Sequence, residues 1–241
     1  MKKLILLLIS AVVCIAANAR TFALCTAISS YERHDLNPLT QSTKDAKSLA
    51  AILKSQSKDV SLITGKNANE ANVKAALKKI AAPAGANDEV IFFFSGHGGP
   101  GAFCLFDKNM TYYDLLSILS KSKCRNILVI IDACNSGSLA GAVTQLKKEN
   151  KWGGNIASIV SSRASENSIE NPLVGAGFLA QGIMKGLRGK ADADGNKQLT
   201  IRELFRYTFN DVSTRAAKVD KAQHPQLIAP AAMQDNVIWK W

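Results

Sequence analysis

Two short segments of this chain carry the residue types of nucleophilic catalysis. His97 sits in Ser95-Gly96-His97-Gly98-Gly99, directly after the wholly apolar run 90–94. Cys134 sits in Asp132-Ala133-Cys134-Asn135-Ser136-Gly137, directly after the apolar run 127–131. A cysteine attacks a carbonyl carbon as its thiolate, so it needs a nearby base or a lowered pKa. An imidazole at the end of a neighbouring strand can serve as that acid/base. A helix beginning just after Cys134 would add the favourable end of its dipole. Glycines beside both residues let a substrate backbone come close and leave N–H groups unobstructed. The backbone N–H groups of Gly98 and Cys134 are therefore the candidates for an oxyanion hole. Taken singly, each residue has a plainer reading: a structural histidine, a buried inert cysteine. Their joint placement, each in a glycine-bearing turn after an apolar strand, favours the pair.

The elements that must position them alternate along the chain. Strands are expected at 21–28, 60–64, 90–94, 127–131 and 156–161. Helices are expected at 41–53 and 69–81, where apolar residues recur at helical spacing, as in Ala46, Leu49, Ala50 and Leu53, and also at 112–119, 138–147, 178–187 and 201–209. Continuous apolar strands alternating with amphipathic helices indicate an α/β fold with a mainly parallel sheet covered on both faces. In such sheets ligand sites lie beyond the carboxyl ends of the strands, which is where His97 and Cys134 fall. The lysine-rich stretch 146–152, followed by Gly153-Gly154, reads as an exposed linker.

Phe92-Phe93-Phe94-Ser95-Gly96-His97-Gly98 and Ile131-Asp132-Ala133-Cys134-Asn135-Ser136-Gly137 resemble the two catalytic motifs of caspase-like cysteine peptidases, metacaspases especially. Their order, with one helix between them, also resembles that family. So do Lys44-Asp45-Ala46 and Gly177-Phe178-Leu179. The resemblance implies a caspase-like three-layer sandwich, a mostly parallel sheet of about six strands flanked by helices. It implies His97 as general acid/base, Cys134 as nucleophile and peptide hydrolysis through a thioester. It further implies an S1 pocket of Asp45, Ser95 and Asp132 that accepts Arg or Lys at P1, since carboxylates pair strongly with a guanidinium. The chain departs from the metacaspase pattern at Asn135, where a His often follows the nucleophile, and at Ser42, where a Cys is common. Lysines 147, 148 and 151 fall where family members are often processed, so self-cleavage there is an expectation set against a plain solvated basic loop.

Asp192-Ala-Asp194-Gly-Asn196-Lys-Gln198-Leu-Thr200-Ile-Arg-Glu203 follows the ligand spacing of an EF-hand loop. Asp192, Asp194, Asn196, Thr200 and Glu203 offer side-chain oxygens, and Gln198 offers its carbonyl. Lys197 stands where the sharp turn calls for glycine. The expectation is a structural calcium, against a polar helix–loop–helix turn capped by Asp and Thr. No cofactor is required for the chemistry itself.

Lys2 and Lys3, an apolar run to Ala17 and the small-x-small Ala17-Asn18-Ala19 form a secretory signal at 1–19, shorter than a comfortable membrane span. The remainder, 20–241, is expected to be one peptidase domain, exported to the periplasm or secreted from a bacterium and not membrane-bound after cleavage. The net charge is +11. The lysines are scattered with little aromatic interleaving, so nucleic acid is not an expected partner; protein or peptide substrates are. Of the five cysteines, none forms a CxxC pair, which gives no support to a thiolate metal site; Cys104 with Cys124 is a disulfide candidate in an exported chain. Two other readings stay open: a catalytically inactive binding or adaptor protein on the same fold, and a thiol transpeptidase using the same pair.

Overall fold

The structure is a computed structural model that describes residues 19–166, 170–171 and 176–241. The signal segment, apart from Ala19, lies outside the described residues.

A six-stranded sheet organises the chain. Its strands are β1 (Thr21–Ala27), β2 (Asp59–Thr64), β3 (Glu89–Ser95), β7 (Asn126–Asp132), β8 (Ile156–Val160) and β12 (Gln226–Ile228). Between them come the short strands β4 (Gly98–Gly99), β5 (Ala102–Cys104), β6 (Asn109–Thr111), β9 (Glu170–Asn171), β10 (Ala176–Gly177) and β11 (Gln198–Thr200), with β13 (Val237–Lys240) closing the chain. The helices are α1 (Ser42–Lys54), α2 (Glu70–Ala81), α3 (Tyr112–Leu119), α4 (Leu139–Lys148), α5 (Phe178–Lys185) and α6 (Ile201–Ala217). Across the sheet the order is β12-β8-β7-β3-β1-β2. All neighbours are parallel except β12, which runs antiparallel to β8.

The side-chain alternation of β3 and β7 explains the three layers. Phe92, Phe94, Val129 and Ile131 join Leu77, Leu115 and Leu116 in the core under α2, α3 and α4. Phe93, Ile91, Leu128 and Ile130 join Leu49, Leu53, Leu179 and Ile183 in the core under α1, α5 and α6. A strand buried on both faces has no polar face to show, hence the unbroken apolar runs.

The observed elements correct several expectations. The helix after Cys134 begins with a tight turn at Ser136–Ser138 and becomes α-helical only at Leu139. Of the supposed linker 146–152, Lys147 and Lys148 belong to the last turn of α4, with Leu146 fully buried beneath them. Cationic side chains suit a helix C-terminus. The Lys151 N–H caps Leu146 O at 2.9 Å, and its ammonium pairs with Glu149 at 2.7 Å. Helix α6 runs on to Ala217 because Val212 and Ala216 extend its buried stripe against Phe178. Strand β12 has little apolar alternation of its own and is made by pairing with β8. Cys104 and Cys124 sit at opposite ends of the sheet. The first donates its N–H to His97 O beyond the end of β3, and the Cys124 thiol faces Asp88 O at its beginning. No disulfide joins them.

Candidate active site

Strands β3 and β7 are adjacent and in register, Ser95 opposite Asp132. The Gly96 N–H donates to Asp132 O at 3.1 Å, which ties together the two turns that follow. His97 and Cys134 therefore emerge side by side at the carboxyl ends of two central strands. They line a cavity of about 170 Å³ with Leu39, Ser42, Ser95, Gly96, Asp132 and Gly177.

The loop 29–40 holds His97 in place. Its backbone N–H donates to Tyr31 Oη at 2.7 Å, and the two rings lie 5.2 Å apart. On the far side of the imidazole, Nε2 is 2.7 Å from Asn37 O. A carbonyl only accepts, so in neutral His97 this contact places the proton on Nε2 and leaves Nδ1 basic. Neither Tyr31 nor Asn37 was found by sequence reasoning. A polar loop after a strand's carboxyl end was the available signal, but a backbone carbonyl leaves no side-chain mark.

Gly98 packs against the nucleophile turn. A Cβ there would meet Ala133 Cβ at 2.8 Å and Cys134 O at 2.9 Å. Gly98 lies opposite Phe103, one step beyond the Cys104-to-His97 ladder bond. In an antiparallel ladder that is a non-hydrogen-bonded position, so the Gly98 N–H turns away from β5.

Cys134 is partly exposed, whereas Cys25, Cys104 and Cys124 are buried. Burial pushes the Cys25 thiol up to about 12 and raises those of Cys104 and Cys124. These three are poor nucleophiles. The turn carrying Cys134 requires Asn135 at φ 55, a left-handed conformation that asparagine tolerates better than most residues. Its side-chain amide donates to Ala164 O at 2.9 Å and its N–H to Glu166 O at 2.8 Å. Ser161 Oγ bridges the main chain of Ala133, accepting from its N–H and donating to its carbonyl. It also lies 3.1 Å from Ser136 Oγ.

Asp45 and Asp132 are only 1% and 6% exposed, so Asp45 is no ordinary surface charge of α1. Each caps the start of α5. Asp45 Oδ2 accepts the Gly177 N–H at 2.8 Å, and Asp132 Oδ2 accepts the Ala180 N–H at 3.1 Å. Anionic groups are favoured at a helix N-terminus. Asp132 and Ser95 face the cavity, while Asp45 stands behind Gly177 rather than on its wall.

The acidic loop lies apart from this cavity. Asp192, Asp194 and Glu203 bring carboxylate oxygens within 4.8 Å of one another. Lys197 takes φ 62, making the turn that glycine would make. Asn196 Oδ1 accepts the Gln198 N–H at 2.7 Å, and Thr200 and Glu203 form a capping box on α6. Asp192 Oδ1 is buried with no hydrogen-bond partner among the described residues. Unpaired buried carboxylate oxygen is costly, and the residues fit a calcium ion as donors.

Comparison with known proteins agrees with this architecture. The family model of the caspase domain matches residues 20–235. The chain is similar in structure to protein GSU0716 from Geobacter sulfurreducens, with TM-score 0.66 and 18% identity over 90% of this chain and 97% of that one. It is similar also to caspase-1 from Spodoptera frugiperda, with TM-score 0.68 and 16% identity over 91% and 88% of the two chains. Curated protein sequences give no match. The chain belongs to the caspase domain family of cysteine peptidases.

Proposed function

We propose that this protein is an exported cysteine endopeptidase that cleaves after Arg or Lys, with His97 and Cys134 as its catalytic pair. The observation that carries this reading is the shared cavity of His97, Cys134, Ser95 and Asp132, with Asp45 behind its Gly177 wall. His97 Nδ1 takes the thiol proton of Cys134, and the thiolate attacks the scissile carbonyl carbon. The oxyanion formed accepts from the N–H groups of Gly98 and Cys134, donors of the kind that stabilise such charge in a water-poor site. His97 then gives its proton to the leaving amine, and the C–N bond breaks to leave a thioester. Water, deprotonated by His97, hydrolyses that thioester and restores the thiol.

Specificity rests on Asp132 facing the cavity and on Asp45 behind Gly177, a wall residue with no side chain to fill the space. A carboxylate accepts several hydrogen bonds at once, so capping α5 is compatible with holding a guanidinium or ammonium. The same charges disfavour an acidic P1 side chain.

The test is hydrolysis of fluorogenic peptides ending in Arg, Lys or Asp by residues 20–241 and by Cys134→Ala. Cleavage after Arg or Lys, lost by at least about 10³-fold in the variant, is expected. Cleavage after Asp overturns the pocket assignment. No turnover by folded, reduced protein, together with peptide binding that survives in Cys134→Ala, would favour the binding-protein reading.

A further inference from the structure

The loop that follows β8 touches the nucleophile turn along its length, at Ser161, Ser162, Ala164 and Glu166. The Gly137 N–H donates to Ser162 O at 2.9 Å, and a Cβ on Gly137 would lie 2.7 Å from Ala164 N. With the bonds of Asn135 to Ala164 and Glu166, and of Ala133 to Ser161, residues 161–166 form the cradle in which Cys134 rests.

One carboxylate closes that cradle. Glu166 Oε2 accepts the N–H of His224 at 3.0 Å and of Arg163 at 3.2 Å. Glu166 Oε1 lies 2.8 Å from His224 Nδ1 and 3.4 Å from the Arg163 guanidinium. Burial would raise the Glu166 carboxyl, but the bonds from His224 and Arg163 outweigh it and hold it below its usual range. His224 is itself anchored, its ring 6.3 Å from that of Phe209 on α6. The preceding Gln223 is fully buried and donates to Ser161 O at 3.0 Å. Thus the segment 223–224 grips the cradle at both ends, Ser161 and Glu166. The main-chain carbonyl of the gripped residue, Glu166, is the group that receives the N–H next to Cys134.

We infer that Glu166 and His224 are positioning residues for Cys134: the hydrogen bonds between them fix the 161–166 loop, which in turn fixes the left-handed Asn135 and the direction of the thiol. This rests on the peptidase reading above for its consequence in turnover, though not for its effect on the thiol. Neither side chain lines the cavity, so neither is a catalytic residue. Misplacement of a reacting atom by about 1 Å can cost around 10²-fold in rate while substrate binding is kept.

The experiment compares Glu166→Gln and His224→Phe with wild type and with Glu149→Gln, which removes an exposed carboxylate paired to Lys151. Three readouts are taken: kcat and KM per titrated active site, alkylation of Cys134 by iodoacetamide followed by peptide mass mapping, and the melting temperature. The expected result is kcat lowered at least about 10-fold with KM within about twofold. Alkylation of Cys134 changes in rate by at least about threefold, and Glu149→Gln matches wild type in all three. Values of kcat and alkylation within twofold of wild type in both variants overturn the proposal. So does a loss that disappears when rates are expressed per titrated site, which would be unfolding only. If wild type cleaves no peptide, the peptidase reading has failed and alkylation alone decides: an altered rate supports the positioning role and an unchanged rate overturns it.

Discussion

At Gly177 the absence of one methyl group lets two carboxylates meet a helix. A Cβ there would lie 2.6 Å from Asp132 Oδ2 and 3.2 Å from Asp45 Oδ2. Any other residue would push apart the acids that the proposed pocket needs. A different acid shows what burial does without such partners. Glu89, at the other end of β3, keeps Oε2 bonded to Thr21 Oγ1 at 3.1 Å, while Oε1 has no partner among the described residues. Burial pushes its carboxyl from 4.5 up to about 8. A raised folded pKa means the folded state holds the proton more tightly than the unfolded one. The associated stability is full below pH 4.5 and is lost as pH rises to about 8. At about 1.4 kcal/mol per unit, the loss is on the order of a few kcal/mol. Glu89→Gln should therefore shrink the fall in melting temperature between pH 5 and 8.5. An unchanged fall would mean that Glu89 ionises freely in the folded protein.

Helix α5 and the acidic loop show how elements borrow what their own sequences lack. Helix α5 has no capping side chain at Gly177, and its orphan N–H groups go to acids on α1 and β7. Helix α6, by contrast, carries its cap locally in Thr200 and Glu203. The loop before it would be completed by calcium, replacing the missing partner of Asp192 Oδ1. We expect millimolar calcium to raise the melting temperature of residues 20–241 by about 5–10 °C at a hundredfold excess over Kd. Chelator should reverse this, and Asp192→Asn should abolish it. Equal melting with calcium and with chelator would leave the loop as a self-capped turn. The lysine stretch makes the converse point. Its charges suggested a linker, but the buried Leu146 and a helix C-terminus decided its structure. Lysines 147 and 148 held in a helix are not in the extended form that a peptidase cleft takes.

Across the described residues, the sheet gathers His97 and Cys134 at the carboxyl ends of its strands and leaves Arg20 at the opposite, amino ends. The Arg20 N–H lies 2.8 Å from Asp88 Oδ1 and its guanidinium 2.7 Å from Asp59. Cleavage after Ala19 would turn that N–H into an ammonium facing a carboxylate, a stronger contact than the amide makes. Protein recovered outside the cytoplasm should therefore have the intact mass of a chain starting at Arg20. Recovery with residues 1–19 attached would replace the exported protein with an anchored one. Among the described residues no helix is long and apolar enough to cross a membrane.

The sequence alone determined what depends on neighbours along the chain. Apolar runs marked five strands of the six-stranded sheet, helical spacing marked α1 and α2, and glycine-bearing turns marked His97 and Cys134. These are local signals, since a strand buried on both faces and a turn before a helix both write themselves into adjacent residues. Tertiary structure decided everything that joins distant segments. It paired β12 with β8, set Asn37 O against His97, and buried Asp45 beside a helix that begins far along the chain. It also placed Glu166 and His224 around the nucleophile turn. Those contacts rest on backbone carbonyls, N–H groups and lone carboxylates that leave no periodicity in sequence, so only folding brings their partners into view.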